Sequence, residues 1–163
     1  MQRERPLYTP EERRRRDASP WTKVQGILAA LQFLVFLASL ALVVRALASG
    51  EGLALANASV VAKTLTLYAI MVTGALWERD VYGQYLFAGP FFWEDVVSMG
   101  VIALHTAYLA ALASGALASR PLLWLALAAY AAYAVNAAQF VAKFRRARLD
   151  RKGAPLAVAG GAA

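Results

Sequence analysis

Apolar residues along this chain gather into four blocks of roughly twenty, the length a helix needs to cross a ~30 Å hydrocarbon core. Short polar or charged stretches separate them. The blocks predict helices over about 21–48, 56–77, 92–117 and 121–148. Ser49-Gly50-Glu51-Gly52 reads as a tight turn between the first two. Ser119-Arg120-Pro121 turns the chain into the fourth, with Pro121 near a helix start where its missing N–H costs little. Residues 78–93 mix Glu78, Arg79, Asp80, Gly83, Gly89 and Pro90 with aromatics and read as a loop. Residues 1–20 are charged, contain three prolines and read as mostly extended; residues 149–163 read as a flexible tail. The second helix starts between Ala54 and Val60. A start near Val60 puts Lys63 close to the bilayer surface, where its long stem lets the amine snorkel. The apolar run from Val24 to Val44 is too long for a signal-peptide core and suits a spanning helix.

Composition sharpens this picture. Hydrophobic residues make up 60% of the 163, and no long polar stretch is left for a second, soluble domain. The net charge is +7, from 17 basic and 10 acidic residues. Seven basic residues lie within 1–23 and six within 143–152, flanking the apolar blocks. That is the pattern of the positive-inside rule rather than of nucleic-acid binding. The expected fold is therefore an all-α integral membrane protein, a four-helix transmembrane bundle with both termini cytoplasmic. Loop 78–93 then faces the cytoplasm, with Tyr82, Tyr85, Phe91, Phe92 and Trp93 suited to an interfacial belt. The runs Arg13–Arg16 and Arg145–Arg148 suit anionic membrane lipids.

Polar residues inside membrane helices are costly and tend to mark function. Gln25, Gln32 and Ser39 share one face of the first helix, and Glu94, Ser98, His105 and Tyr108 form a stripe on the third. Tyr133, Asn136 and Gln139 form another on the fourth. With Glu78, Asp80 and Asp95 at the rim, these groups predict a polar cavity open toward the cytoplasm. Structural readings stand beside this one: Gln32 and Gln139 as ties between helices, His105 as a satisfied core residue, Glu94 and Asp95 as helix caps. The spacing of Ala103, Ala107 and Ala111, and of Ala134, Ala138 and Ala142, predicts close contact between the third and fourth helices.

The chain has no cysteine and one histidine. Disulfides, iron–sulfur clusters, thiolate zinc sites, bis-histidine haem and HExxH are excluded, no Gly-rich phosphate loop precedes a helix, and no metal site is expected. Carboxylates, amides and tyrosines beside an apolar cavity remain. They suit proton transfer and water positioning on a large hydrophobic substrate. A quinone- or lipid-handling membrane protein fits the same pattern.

Several stretches resemble the vinyl bacteriochlorophyllide hydratases. They are Arg5-Pro6-Leu7-Tyr8-Thr9-Pro10, Val24-Gln25-Gly26, Leu31-Gln32-Phe33-Leu34-Val35-Phe36, and Tyr68 through Trp77-Glu78. Tyr85-Leu86-Phe87-Ala88, Phe91-Phe92-Trp93-Glu94-Asp95-Val96-Val97-Ser98-Met99, His105-Thr106-Ala107-Tyr108 and Asn136-Ala137-Ala138-Gln139-Phe140 continue the match to about Arg148. The resemblance implies a hydro-lyase of bacteriochlorophyll biosynthesis in the inner (cytoplasmic or intracytoplasmic) membrane of a phototrophic bacterium. It would add water across the C3 vinyl group of chlorophyllide a, or a related Mg-chlorin, without a cofactor beyond the Mg that the pigment carries. On that premise Glu94, Asp95 and Glu78 are the candidate acid–base groups, with Glu94 preferred as acid. His105 would ligate the pigment's Mg or bond a ring carbonyl. Gln32, Tyr108, Tyr133, Asn136, Gln139 and Trp77 would hold the macrocycle. Other pigment-biosynthesis enzymes are candidate partners. A non-enzymatic pigment carrier or assembly factor is the alternative; it would use the cavity and His105 without needing the rim acids.

Overall fold

The computed structural model describes residues 6–153, and its regular elements there are all helices. They are α1 (Pro10–Ala18), α2 (Pro20–Ser49), α3 (Leu53–Tyr82), α4 (Phe92–Ser114) and α5 (Ser119–Gly153), with a 3₁₀ turn at Gly89–Phe91 leading into α4. Helices α2 to α5 are each long and apolar enough to cross a membrane, making this a multi-pass architecture.

Local chemistry explains the boundaries. Ser19 caps α2, with Pro20 in the first turn, and Gly50 ends it in a left-handed conformation (φ 74°). Gly52, also left-handed (φ 75°), starts α3. The turn between them is too short for anything but an antiparallel pair. Helix α2 packs along α3, α4 packs along α5, and α2–α5 and α3–α4 contacts close the bundle. Phe36, Val43, Val60, Leu67, Val101, Tyr108, Leu123, Ala126 and Tyr130 fill its core. A second cluster of Tyr8, Trp77, Val81 and Phe91 sits where α1 meets the end of α3. Ser19 donates to Asp80 (2.6 Å) and Arg15 to the Val81 carbonyl (3.5 Å), while Lys143 donates to the Pro90 carbonyl. Helix α1, the 83–91 connection and the last part of α5 therefore share one end of the bundle, the basic end.

The expected 78–93 loop is shorter, because α3 runs on through Glu78, Arg79 and Asp80 to Tyr82, where left-handed Gly83 (φ 84°) ends it. Four further expectations are corrected. Residues 10–18 are helical, not extended. Thr9 accepts from the Glu12 N–H and Glu12 accepts from the Thr9 N–H, a reciprocal cap, and acidic first-turn and basic last-turn residues complement the helix dipole. Helix α3 begins at Leu53, so Lys63 lies ten residues inside it, about 15 Å along the axis. Its side chain is fully buried and does not snorkel. Third, α4 and α5 do pack together, but not through the alanine rows. Ala103, Ala107, Ala134, Ala138 and Ala142 are exposed and Ala111 is half-buried, because the Glu94–Ser98–His105–Tyr108 stripe takes the inward face of α4. Finally, α5 continues through residues 149–153; the rest of the expected tail, 154–163, lies outside the described residues.

Candidate functional site

The buried polar side chains form two clusters at different depths, one at the basic end and one near the middle of the bundle.

At the basic end, Glu94 and Asp95 lie in the first turn of α4, where negative charge suits the dipole. Neither makes a side-chain cap bond, since the cap position is Phe91. Asp95 accepts from the Phe87 N–H at 2.7 Å, and Glu78, near the end of α3, accepts from the Ala88 N–H at 3.1 Å. Both carboxyls are buried, and the successive N–H groups of Phe87 and Ala88 hold them as near neighbours. The turn that aims two successive N–H groups at two acids has a cost: Phe87 adopts a φ of 60°, a left-handed conformation that non-glycine residues rarely hold. Glu94 pairs with Lys143 of α5, whose amine also donates to the Pro90 carbonyl and lies 5.1 Å from the Phe91 ring centre. Asn136 donates to the Glu94 carbonyl (3.0 Å) and accepts from Ser98 (3.1 Å), tying α5 to α4. Trp77 donates to Thr22 (3.0 Å) and sets its ring edge-on against Phe91. These named groups all have partners.

The middle of the bundle is built differently. His105 places Nδ1 2.8 Å from the Val101 carbonyl. A carbonyl only accepts, so Nδ1 carries the proton and the neutral ring's lone pair is on Nε2. That Nε2 is buried and has no hydrogen-bond partner among the described residues. Nor do Lys63 Nζ, Gln32 Oε1 and Gln139 Oε1. Three of these four converge. The Lys63 amine sits 3.7 Å from the centre of the Tyr133 ring and within electrostatic range of His105, and Gln32 lies beside the Tyr133 hydroxyl. Tyr130 lines the same region, its ring 5.8 Å from that of His105 and its hydroxyl 2.5 Å from Ser39. Gln139 lies further toward the basic end, one turn past Asn136 on α5. Tyr108 belongs to the opposite end, where it donates to Asn57 at 2.8 Å. Each unsatisfied buried polar atom costs about 1–3 kcal/mol, and a desolvated ring-face contact returns about 2 kcal/mol to a charged amine without satisfying its hydrogen-bonding capacity. A cluster of such atoms is therefore a candidate ligand seat, one that offers a lone pair (His105), an acceptor (Gln32) and a donor (Lys63).

The expected site residues thus separate. Glu78, Glu94, Asp95, Asn136 and Trp77 gather at the basic end; His105, Gln32 and Tyr133 meet mid-bundle. Asp95 and His105 are ten residues apart on α4, about 15 Å of helical rise. Sequence reasoning missed Lys63 and the Lys143–Glu94 pair. Both had a signal. Lys63 shares a face with Ala56, Val60 and Leu67, and Lys143 follows Asn136 by seven residues, two turns on one face. The Phe87 turn had none. Among the described residues no three His, Asp or Glu side chains converge as a metal site.

Comparison with known proteins places this architecture. The family model described as 2-vinyl bacteriochlorophyllide hydratase matches residues 8–146. A 2-vinyl bacteriochlorophyllide hydratase of Cereibacter sphaeroides is 63% identical over 150 residues, 92% of this chain and 93% of the relative. One of Rhodobacter capsulatus is 63% identical over 144 residues, 88% of this chain and 84% of the relative. No solved structure matches.

Proposed function

The chain belongs to the 2-vinyl bacteriochlorophyllide hydratase family, and on that premise we propose that it is a hydro-lyase acting on the C3 vinyl group of chlorophyllide a or a related Mg-chlorin. Water adds with its hydrogen on the terminal carbon and its hydroxyl on the carbon next to the ring, giving a 1-hydroxyethyl group. The addition is redox-neutral and uses no cofactor beyond the Mg that the substrate carries.

The observation that supports this reading best is that Glu78 and Asp95 are buried side by side on the successive N–H groups of Ala88 and Phe87. Two buried carboxylates so close repel each other, so on this reading the pair keeps one proton. That proton is the one the terminal vinyl carbon takes up, leaving a cation on the inner carbon that the macrocycle delocalises. The deprotonated partner accepts a proton from the attacking water, and the pair is restored. Asp95 and Glu78 thus act as acid and base. Glu94, held by Lys143, fixes the start of α4 beside them.

The rest of the pigment is assigned to the middle of the bundle. His105 Nε2 supplies a lone pair to the substrate's Mg, which fits its tautomer better than bonding a ring carbonyl, because a lone pair cannot donate. Tyr133, Gln32 and Gln139 line the macrocycle's edge. Asn136, Trp77 and Tyr108 act by holding the helices around it. The long axis of the pigment then runs along the bundle, vinyl end toward the basic end. By the positive-inside rule the basic end faces the cytoplasm of the bacterial inner membrane. The substrate's anionic side chain stays there, near Arg79 and the α5 basic residues.

Membranes carrying the wild type, incubated with chlorophyllide, are expected to yield a product heavier by one water and lacking the vinyl absorption contribution. Asp95→Asn and Glu78→Gln should each slow turnover by about 10²-fold or more. Full turnover in both variants rules out the carboxyl scheme, and pigment binding without any product identifies a carrier instead.

A further inference from the structure

Lys63 has no role in the acid–base scheme, and its placement is the least expected in the molecule. It sits at mid-depth on α3, and its residue is fully buried. Among the described residues no carboxylate pairs with it; its amine lies 3.7 Å from the centre of the Tyr133 ring of α5 and within electrostatic range of His105 of α4. Its amine has no hydrogen-bond partner among the described residues and rests on the Tyr133 ring. A buried amine in such a place is expensive. An apolar side chain of the same length would pack between Val60 and Leu67 without that cost.

The neighbouring His105 offers a lone pair and no proton, and Gln32 presents an unsatisfied acceptor oxygen. Lys63 is therefore the strong donor of this cluster. A Mg-chlorin asks for both functions: a Lewis base for its metal, and a donor for the carbonyl oxygen on its rim.

We propose that Lys63 is a substrate-binding residue that donates a hydrogen bond to a rim carbonyl oxygen of the pigment while His105 takes the metal. This deepens the hydratase reading and rests on it. The two contacts together fix the macrocycle's rotation in its own plane. A lone metal ligand leaves that rotation free. With it fixed, the vinyl group is held toward the Glu78–Asp95 pair. Lys63 is thus a specificity determinant for pigments that carry the carbonyl.

The test uses the full chain in lipid nanodiscs, with chlorophyllide and with a chlorophyllide whose ring ketone has been reduced. The wild type is expected to bind the ketone pigment more tightly by about tenfold, the worth of one buried hydrogen bond. Lys63→Met should erase that preference while binding the reduced pigment as the wild type does, which also shows that the variant is folded. Lys63→Gln, which keeps an N–H donor, should recover part of the preference. In the hydration assay Lys63→Met should raise KM by about tenfold and lower kcat by less. The carbonyl stretch of the bound pigment should rise in Lys63→Met toward its value in an apolar solvent. The proposal is overturned if Lys63→Met keeps the wild-type preference and carbonyl frequency, or if kcat collapses with affinity unchanged. A wild type that binds pigment but never hydrates it removes the hydratase reading instead, and the ketone preference still reports on Lys63.

Discussion

The basic end and the middle of the bundle are both lined with buried polar side chains, yet they are built to opposite rules. At the basic end each of the named donors and acceptors is matched. Glu94 meets Lys143, Asn136 meets Ser98 and the Glu94 carbonyl, and Asp95 and Glu78 each meet a backbone N–H group. Mid-bundle, Lys63, His105 and Gln32 each leave an atom unmatched. A satisfied network fixes geometry, which acid–base chemistry needs. An unsatisfied one lowers the stability of the free protein and leaves those atoms open to a ligand. Under the proposed function the two clusters would do different work: the first would hold groups for the reaction, the second the pigment.

Removing one member from each cluster should therefore have opposite consequences for stability. Lys143→Met leaves the Glu94 charge buried and unpaired, and should lower unfolding stability in detergent by about 3 kcal/mol. The double variant Lys143→Met/Glu94→Gln should recover most of that loss. Lys63→Met at the other level should leave the unfolding midpoint unchanged or raise it, because it replaces an unmatched amine with an apolar chain. If the two single variants are equally destabilised, the clusters do not differ in kind.

A smaller effect is expected from Asn136→Leu. It removes two hydrogen bonds between α4 and α5 and should cost about 1–2 kcal/mol. Turnover should fall only as far as folding does, because Asn136 is not offered to the substrate. The smallest effect is expected from Phe87→Gly. Glycine holds a left-handed φ without strain, so stability should stay within about 0.5 kcal/mol of wild type and the Asp95 and Glu78 clamp should persist. A large loss of activity with stability intact would show that the Phe87 ring, and not its backbone, matters to the site.

The apolar blocks made the fold legible, because a helix in lipid must be apolar over its whole length. The two-glycine turn and the polar stripes on α2, α4 and α5 could be read directly from spacing. Depth could not. The start of α3 is expected anywhere from Ala54 to Val60, and a start near Val60 makes Lys63 a surface residue; the start at Leu53 buries it. Charge near a helix end invites the snorkelling reading, and only the partner faces, Tyr133 and His105, decide against it. The alanine rows misled for a related reason. Small residues permit close approach but do not compel it, and on α4 a polar stripe claimed the inward face. The N-terminal segment was misread because its three prolines weighed more than the Thr9–Glu12 cap. The pairing of Glu94 with Lys143 joins residues 49 apart in sequence, a relation that spacing along one helix does not express.

The division of work between the two clusters rests on what His105 does with its free nitrogen. The most direct measurement is the coordination state of the pigment's Mg, read by resonance Raman of chlorophyllide bound to the wild type and to His105→Ala. The marker bands of five-coordinate Mg are expected in the wild type, lost in His105→Ala and restored there by added imidazole. Identical bands in both proteins would contradict a mid-bundle pigment seat and return His105 to the role of a core residue.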